Sequence, residues 1–139
     1  MEVIMKDDVR SSTAHVIVTV TEEMTARLDG REIHPVYSTF WLAYHAEVAA
    51  RRAIEPYFDE GENAVGGALA LEHRAMAPVG AVVDVEARVV NVEGNRIVCA
   101  ITAINENTLL AEGTQVQIVM RSEALRKKVD EAYRRLTSS

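Results

Sequence analysis

Two hydrophobic rhythms divide the chain. From Val36 to Phe58, VYSTFWLAYHAEVAARRAIEPYF, the residues are strong helix formers, with Ala43, Ala46, Ala49, Ala50, Ala53 and Leu42 setting the tone. No Gly or Pro interrupts the run before Pro56, which predicts a helix from Thr39 to about residue 55. Apolar side chains fall on nearly every side of it, so other structure should wrap it. From Ala64 onward the rhythm changes to period two. Residues 64–74, 81–92, 96–104 and 108–120 read as strands; in the second, Val83, Val85, Ala87 and Val89 share one face while Asp84, Glu86 and Arg88 share the other. A β-branched stretch at 13–20 predicts a first strand. Residues 21–35 are polar around an Asp29-Gly30 turn signal and read as a connection with one helical turn. Ser122 is placed to cap a last helix over about 122–136, whose apolar stripe is Leu125, Val129, Ala132, Tyr133 and Leu136.

The order is strand, long helix, four strands, helix. Glu93-Gly94-Asn95 and Asn105-Glu106-Asn107 supply tight turns, so the sheet is antiparallel and one of its faces is free to cover a helix. A helix of that length spans roughly 25 Å at about 1.5 Å per residue, enough to lie across a curled five-stranded sheet. This predicts an α+β hotdog fold: a five-stranded antiparallel sheet wrapped around a long central helix, with a C-terminal helix, as a single domain over 1–139. A lone protomer of that shape exposes a sheet edge, so a homodimer is expected, or a tetramer of paired dimers.

Composition narrows the chemistry. A formal net charge of −6 argues against a general nucleic-acid binder. The N-terminus lacks a signal peptide's apolar core and no apolar run reaches membrane-spanning length, so a cytoplasmic setting is expected. Cys99 is the single cysteine and reads as strand core. There is no Gly-x-Ser-x-Gly elbow, no His-Glu-x-x-His, no Cys-x-x-Cys and no phosphate loop. His45-Ala-Glu47 matches the His-x-Glu of zinc deaminases, but those need further cysteines. No metal or cofactor is implied.

The polar groups in constrained or apolar surroundings are Ser38 and Thr39 at the helix start, Glu47 in its middle, Gly66 and Gly67 inside a strand, and His73 at that strand's end. A carboxylate amid alanines must be paired, protonated or facing a cleft, and burial would raise its pKa. Two glycines in a strand mark a bulge, a close approach of backbone to ligand, or relief of crowding under the helix. Straight helix separates Thr39 from Glu47 by about 12 Å along the axis, too far to touch. Either the regular helix begins after Thr39 with the preceding turn folding back, which is the expectation because Ser38 or Thr39 suits an N-cap, or the two contact different parts of a ligand.

The stretches 36–47 (VYSTFWLAYHAE), 52–62 (RAIEPYFDEGE) and 65–80 (VGGALALEHRAMAPVG), with VEGN at 92–95 and EGT at 112–114, resemble the fluoroacetyl-CoA thioesterase branch of the hotdog superfamily. The resemblance covers about residues 36–120. It implies an acyl-CoA thioesterase with Thr39, Glu47 and His73 as the catalytic set, Glu47 as base or nucleophile, His73 as its partner, and coenzyme A present only as part of the substrate. Gly66, with Gly67 beside it, would offer a backbone donor to the thioester oxygen. Two departures bear on the substrate. Residues 21–35 hold no Phe, Trp or Tyr where the fluoroacetate-specific member has an aromatic-rich lid, and Gln117 stands where that enzyme has an arginine. A hydrolase of short- or medium-chain acyl-CoA is therefore expected. Arg121, Arg126, Lys127, Lys128, Arg134 and Arg135 read as a solvated face or as receivers of coenzyme A phosphates. Two other readings share the fold: a non-catalytic module binding acyl-CoA or a related ligand, and a hydratase, although the usual Asp-x-x-x-x-His spacing of hydratases is missing.

Overall fold

The computed structural model describes residues 5–138. Strand β1 (Thr13–Thr19) leads through a short 3-10 turn into a hairpin, β2 (Thr25–Leu28) and β3 (Arg31–Tyr37). Helix α1 (Thr39–Ile54) follows, then β4 (Glu62–His73), β5 (Val82–Glu93), β6 (Arg96–Asn105), β7 (Thr108–Arg121) and helix α2 (Ser122–Ser138). The main sheet is antiparallel in the order β1-β5-β6-β7-β4, curled around α1. This is the hotdog arrangement that the alternating pattern and the alanine-rich helix predict.

The helix fits because of what it lacks. Ala46, Ala49, Ala50 and Ala53 have no exposed surface and meet the inward valines Val16, Val18, Val83, Val85 and Val89. Small side chains let the helix axis approach the sheet, and the β-branched face fills the space between. Ser38 caps the helix: its side chain accepts the Trp41 N–H at 3.1 Å. At the far end Pro56 sits in a 3-10 turn, Glu55–Tyr57, that ends the helix. The buried Ser12 hydroxyl donates to the Ala53 carbonyl at 2.6 Å, tying the entry of β1 to the last turn of α1.

Four features differ from the expectation. Residues 21–35 are more than a connection: Asp29 and Gly30, both at positive φ, turn a β2–β3 hairpin that leads into the cap of α1. The four strands after α1 were expected to be joined mostly by hairpins, and β4 and β5 are not. Strand β4 crosses over to pair with β7, so β4 is an edge strand of the sheet. Helix α1 is wrapped on one side only, leaving Phe40, Tyr44 and Glu47 exposed on the other. Ser122 is the first residue of α2 rather than a flanking cap, and its N–H donates to the Gly61 carbonyl at 2.7 Å. The stripe of α2 that carries Val129, Tyr133 and Leu136 is exposed.

Cys99 is buried in β6, and burial pushes its thiol up to about 11. Gly113 of β7 faces Leu71 across the β4 ladder, where a Cβ would land on the Ala70 carbonyl oxygen. Backbone cannot yield there as a flexible side chain can. Gly113→Ala is expected to destabilise the fold by about 1–3 kcal/mol, the range for forced overpacking. Urea unfolding measures it, and a variant within about 0.5 kcal/mol of the parent would contradict the close approach.

Candidate active site

The residues singled out from the sequence gather into two clusters along β4, one at the glycine pair within the strand and one at its last residue. In the first, Glu47 projects from the exposed side of α1 toward the glycine pair. A Cβ at Gly66 would lie 2.9 Å from Glu47 Oε1 and 3.0 Å from Oε2, so the carboxylate occupies space that only a glycine leaves open. The ladder slips here: Gly66 pairs with Gln117 and Ala68 with Val116, so Gly67 is the bulged residue. A bulge takes an amide out of the regular ladder. A Cβ on Gly67 would also run into the Ile118 side chain at 2.8 Å. A cleft of about 580 Å³ opens beside the carboxylate, lined by Tyr44, Glu47, Arg51, Arg52, Gly66 and Gln117.

In the second cluster Thr39 Oγ1 and His73 Nδ1 share a hydrogen bond of 2.9 Å. Thr39 is the first residue of α1 and His73 the last of β4. They line a recess of about 280 Å³ with Ser38, His34 and Met76. His73 Nε2 is buried with no hydrogen-bond partner among the described residues. Burial holds the ring below its ordinary value of 6.5, offset in part by the Ala75 backbone, so its neutral form is favoured. A neutral imidazole with one nitrogen anchored on a hydroxyl keeps the other for a second group.

Thr39 and Glu47 do not meet within one chain. The helix is regular from Thr39 onward, so the expected folding-back of its first turn does not occur and the axial separation of about 12 Å stands. Glu47 is solvent-exposed in the single chain, not buried amid its alanines, because β4 ends the sheet beside it. Gly66 and His73 lie seven residues apart on one strand, about 23 Å at about 3.3 Å per residue. A further recess of about 800 Å³ between Pro78–Val82 and Ile104–Glu106 shares no lining residue with either cluster.

Near the site, Arg51, Arg52 and Tyr37 were not singled out from the sequence, and His45 only in a zinc-deaminase-like pattern. Arg51 and Arg52 follow Glu47 by four and five positions, a spacing that puts Arg51 on the Glu47 face of the helix. Tyr37 Oη and His45 Nδ1 share a buried hydrogen bond of 2.6 Å under the Trp41 ring. Desolvation holds the His45 imidazole low and drives the Tyr37 phenol far up, so the pair is neutral and fixes the first turns of α1. A His eight residues after a Tyr gives no local signal, since the contact is made by the strand-to-helix corner.

His15 supplies a contrast on the outer face. Asp84 lies 2.8 Å from its Nδ1, and this hydrogen bond raises the imidazole pKa. Proton NMR titration is expected to find His15 above 6.5 and His45 below it. The signs for stability are opposite. His15 contributes stability that is present below the unfolded value and lost as pH rises through its folded value. His45 contributes stability that is present above the unfolded value and lost as pH falls through its folded value. A His45 midpoint above that of His15 would contradict both environments.

A family model described as fluoroacetyl-CoA-specific thioesterase matches residues 20–123. The fluoroacetyl-CoA thioesterase of Streptantibioticus cattleyicolor is 32% identical over 98 residues, 70% of each chain. A Thermus thermophilus protein described as a thioesterase superfamily member superposes with a TM-score of 0.90 at 32% identity, covering 94% of this chain and 96% of that one. A variant of the fluoroacetyl-CoA-specific thioesterase, solved in complex with fluoroacetate and CoA, superposes with a TM-score of 0.76 at 27% identity over 85% of this chain and 97% of that one.

Proposed function

The chain belongs to the fluoroacetyl-CoA-specific thioesterase family and is a thioester hydrolase; from that premise we propose that it hydrolyses short- or medium-chain acyl-CoA at a site assembled from two copies of the chain. The observation that carries the reading is the division of the catalytic set between two places along an edge strand. Glu47 stands at Gly66, inside the strand, and Thr39 with His73 at its last residue. An antiparallel two-fold pairing of β4 with its copy, centred between Leu69 and Ala70, sets Gly66 opposite the partner subunit's His73. Glu47 would then lie beside the partner subunit's His73. Exposed Phe40, Tyr44, Leu69 and Met76 flank the same edge, which supports its burial in a dimer. Two equivalent sites result.

In this reading a thioester lies between the clusters with its carbonyl oxygen toward the Gly66–Gly67 amides. Those donors stabilise the negative charge as the carbonyl carbon becomes tetrahedral. Glu47 acts as base, taking a proton from the attacking water, or as the nucleophile itself. The new C–O bond replaces the C–S bond, and the proton passes to the departing thiolate to give coenzyme A and a free acid. His73, oriented by Thr39, holds Glu47 or the water in line. The complex of a relative with fluoroacetate and CoA supports a coenzyme A thioester as substrate. A polar β2–β3 hairpin in place of an aromatic lid, and Gln117 in the cleft, favour non-fluorinated acyl groups.

Thiol release from acyl-CoAs tests the activity: Glu47→Gln and His73→Ala are each expected to lose at least about a hundredfold in kcat, the lower range for general acid–base work. Mixing the two inactive variants tests the assembly. Random exchange makes half the dimers mixed, and each mixed dimer has one site with Glu47 and His73 both intact, so about a quarter of parental activity should return. No recovery despite confirmed exchange would place both residues in one subunit's site. Acyl-CoA binding without thiol release by the parent protein would favour a binding module instead.

A further inference from the structure

The cleft beside Glu47 carries two guanidinium groups that hydrolysis of a plain acyl chain would not need. Arg51 is fixed in place: its Nε donates to Glu55 at 2.7 Å, one terminal nitrogen donates to the Ala64 carbonyl at 3.1 Å, and the Phe58 ring lies 5.2 Å from its central carbon. Arg52 donates to the His15 carbonyl at 3.3 Å and has no carboxylate partner among the described residues. Two cations thus stand in the cleft with one neutralising carboxylate, Glu55, besides Glu47 itself.

Their distance from the reacting carbon identifies what they could receive. Arg51 is anchored at Ala64 and Glu47 lies against Gly66, two residues further along β4, so the points on the strand that the two side chains touch are about 7 Å apart at about 3.3 Å per residue. Coenzyme A phosphates lie beyond the whole pantetheine arm, several times that distance from the thioester carbon, and do not fit. The far carboxylate of a short dicarboxylic acyl group does. Resting on the thioesterase reading above, we infer that Arg51 and Arg52 select acyl-CoA substrates whose acyl group ends in a carboxylate, of succinyl or glutaryl length. The planar guanidinium is suited to a bidentate grip on such a group, and the pair offsets the repulsion that Glu47 would exert on an anionic acyl chain. Hydrolysis would consume one water and release the free dicarboxylate and coenzyme A.

The test compares kcat/KM for succinyl- and glutaryl-CoA with that for butyryl- and valeryl-CoA, in the parent protein and in Arg52→Gln. Arg52 is chosen because Arg51 also holds α1 to β4. The parent should prefer the carboxylated member of each pair, and Arg52→Gln should reduce that preference about tenfold, as expected for one lost charge-assisted hydrogen bond. Equal or better turnover of the neutral acyl-CoAs by the parent overturns the inference and leaves the thioesterase reading standing. A preference that Arg52→Gln does not change overturns it as well. Hydrolysis of none of the four, with no thiol released from any other acyl-CoA, overturns both.

Discussion

Close approach between α1 and the sheet is the constraint on which the rest depends. Ala46, Ala49, Ala50 and Ala53 present little more than backbone to the inward valines. A leucine at any of them would lift the helix from the sheet. Lifted, Glu47 would no longer reach the space over Gly66, where an added methyl group would have to displace the carboxylate. The same axis carries Thr39 at its first turn, and the Ser38 cap and the buried Tyr37–His45 bond fix where that turn begins. Packing and chemistry thus share one set of small residues.

The fold was largely legible because its two periodicities are clean. An alanine-rich run cannot satisfy a strand and the valine alternation of β5 cannot satisfy a helix. What was missed was non-local. The β2–β3 hairpin hid in a polar stretch with little β-branched content, although its Asp29-Gly30 turn was visible. The pairing of β4 with β7 instead of β5 depends on which edge the crossover reaches, and no residue in β4 encodes it. The candidate residues stood out as polar groups or glycines in constrained surroundings and took their roles from resemblance to a family, but the fold-back of the first helical turn expected to join Thr39 to Glu47 does not form. The structure keeps them apart. The exposure of Glu47 could not be read from its alanine neighbours, because it follows from β4 lying at the edge.

Order along β4 also explains why glycines recur where they do. At Gly66 a side chain would press on a carboxylate and at Gly67 on the Ile118 side chain, both of which can shift, whereas across the ladder at Gly113 it would meet a carbonyl of β4 itself. The first conflict concerns the site, the last the sheet. Substitutions at positions that look equivalent in the sequence should therefore fail for unrelated physical reasons.

The position of Cys99 has a consequence for an enzyme whose product is a thiol. Mixed-disulfide formation requires a thiolate that can reach a second sulfur. Cys99 is enclosed in β6 between the helix and the sheet's neighbours, and its proton is held well above neutrality. Coenzyme A released at the surface, and the disulfides it forms on oxidation, have no sulfur of this protein to exchange with. The enzyme can accumulate product without being capped by it.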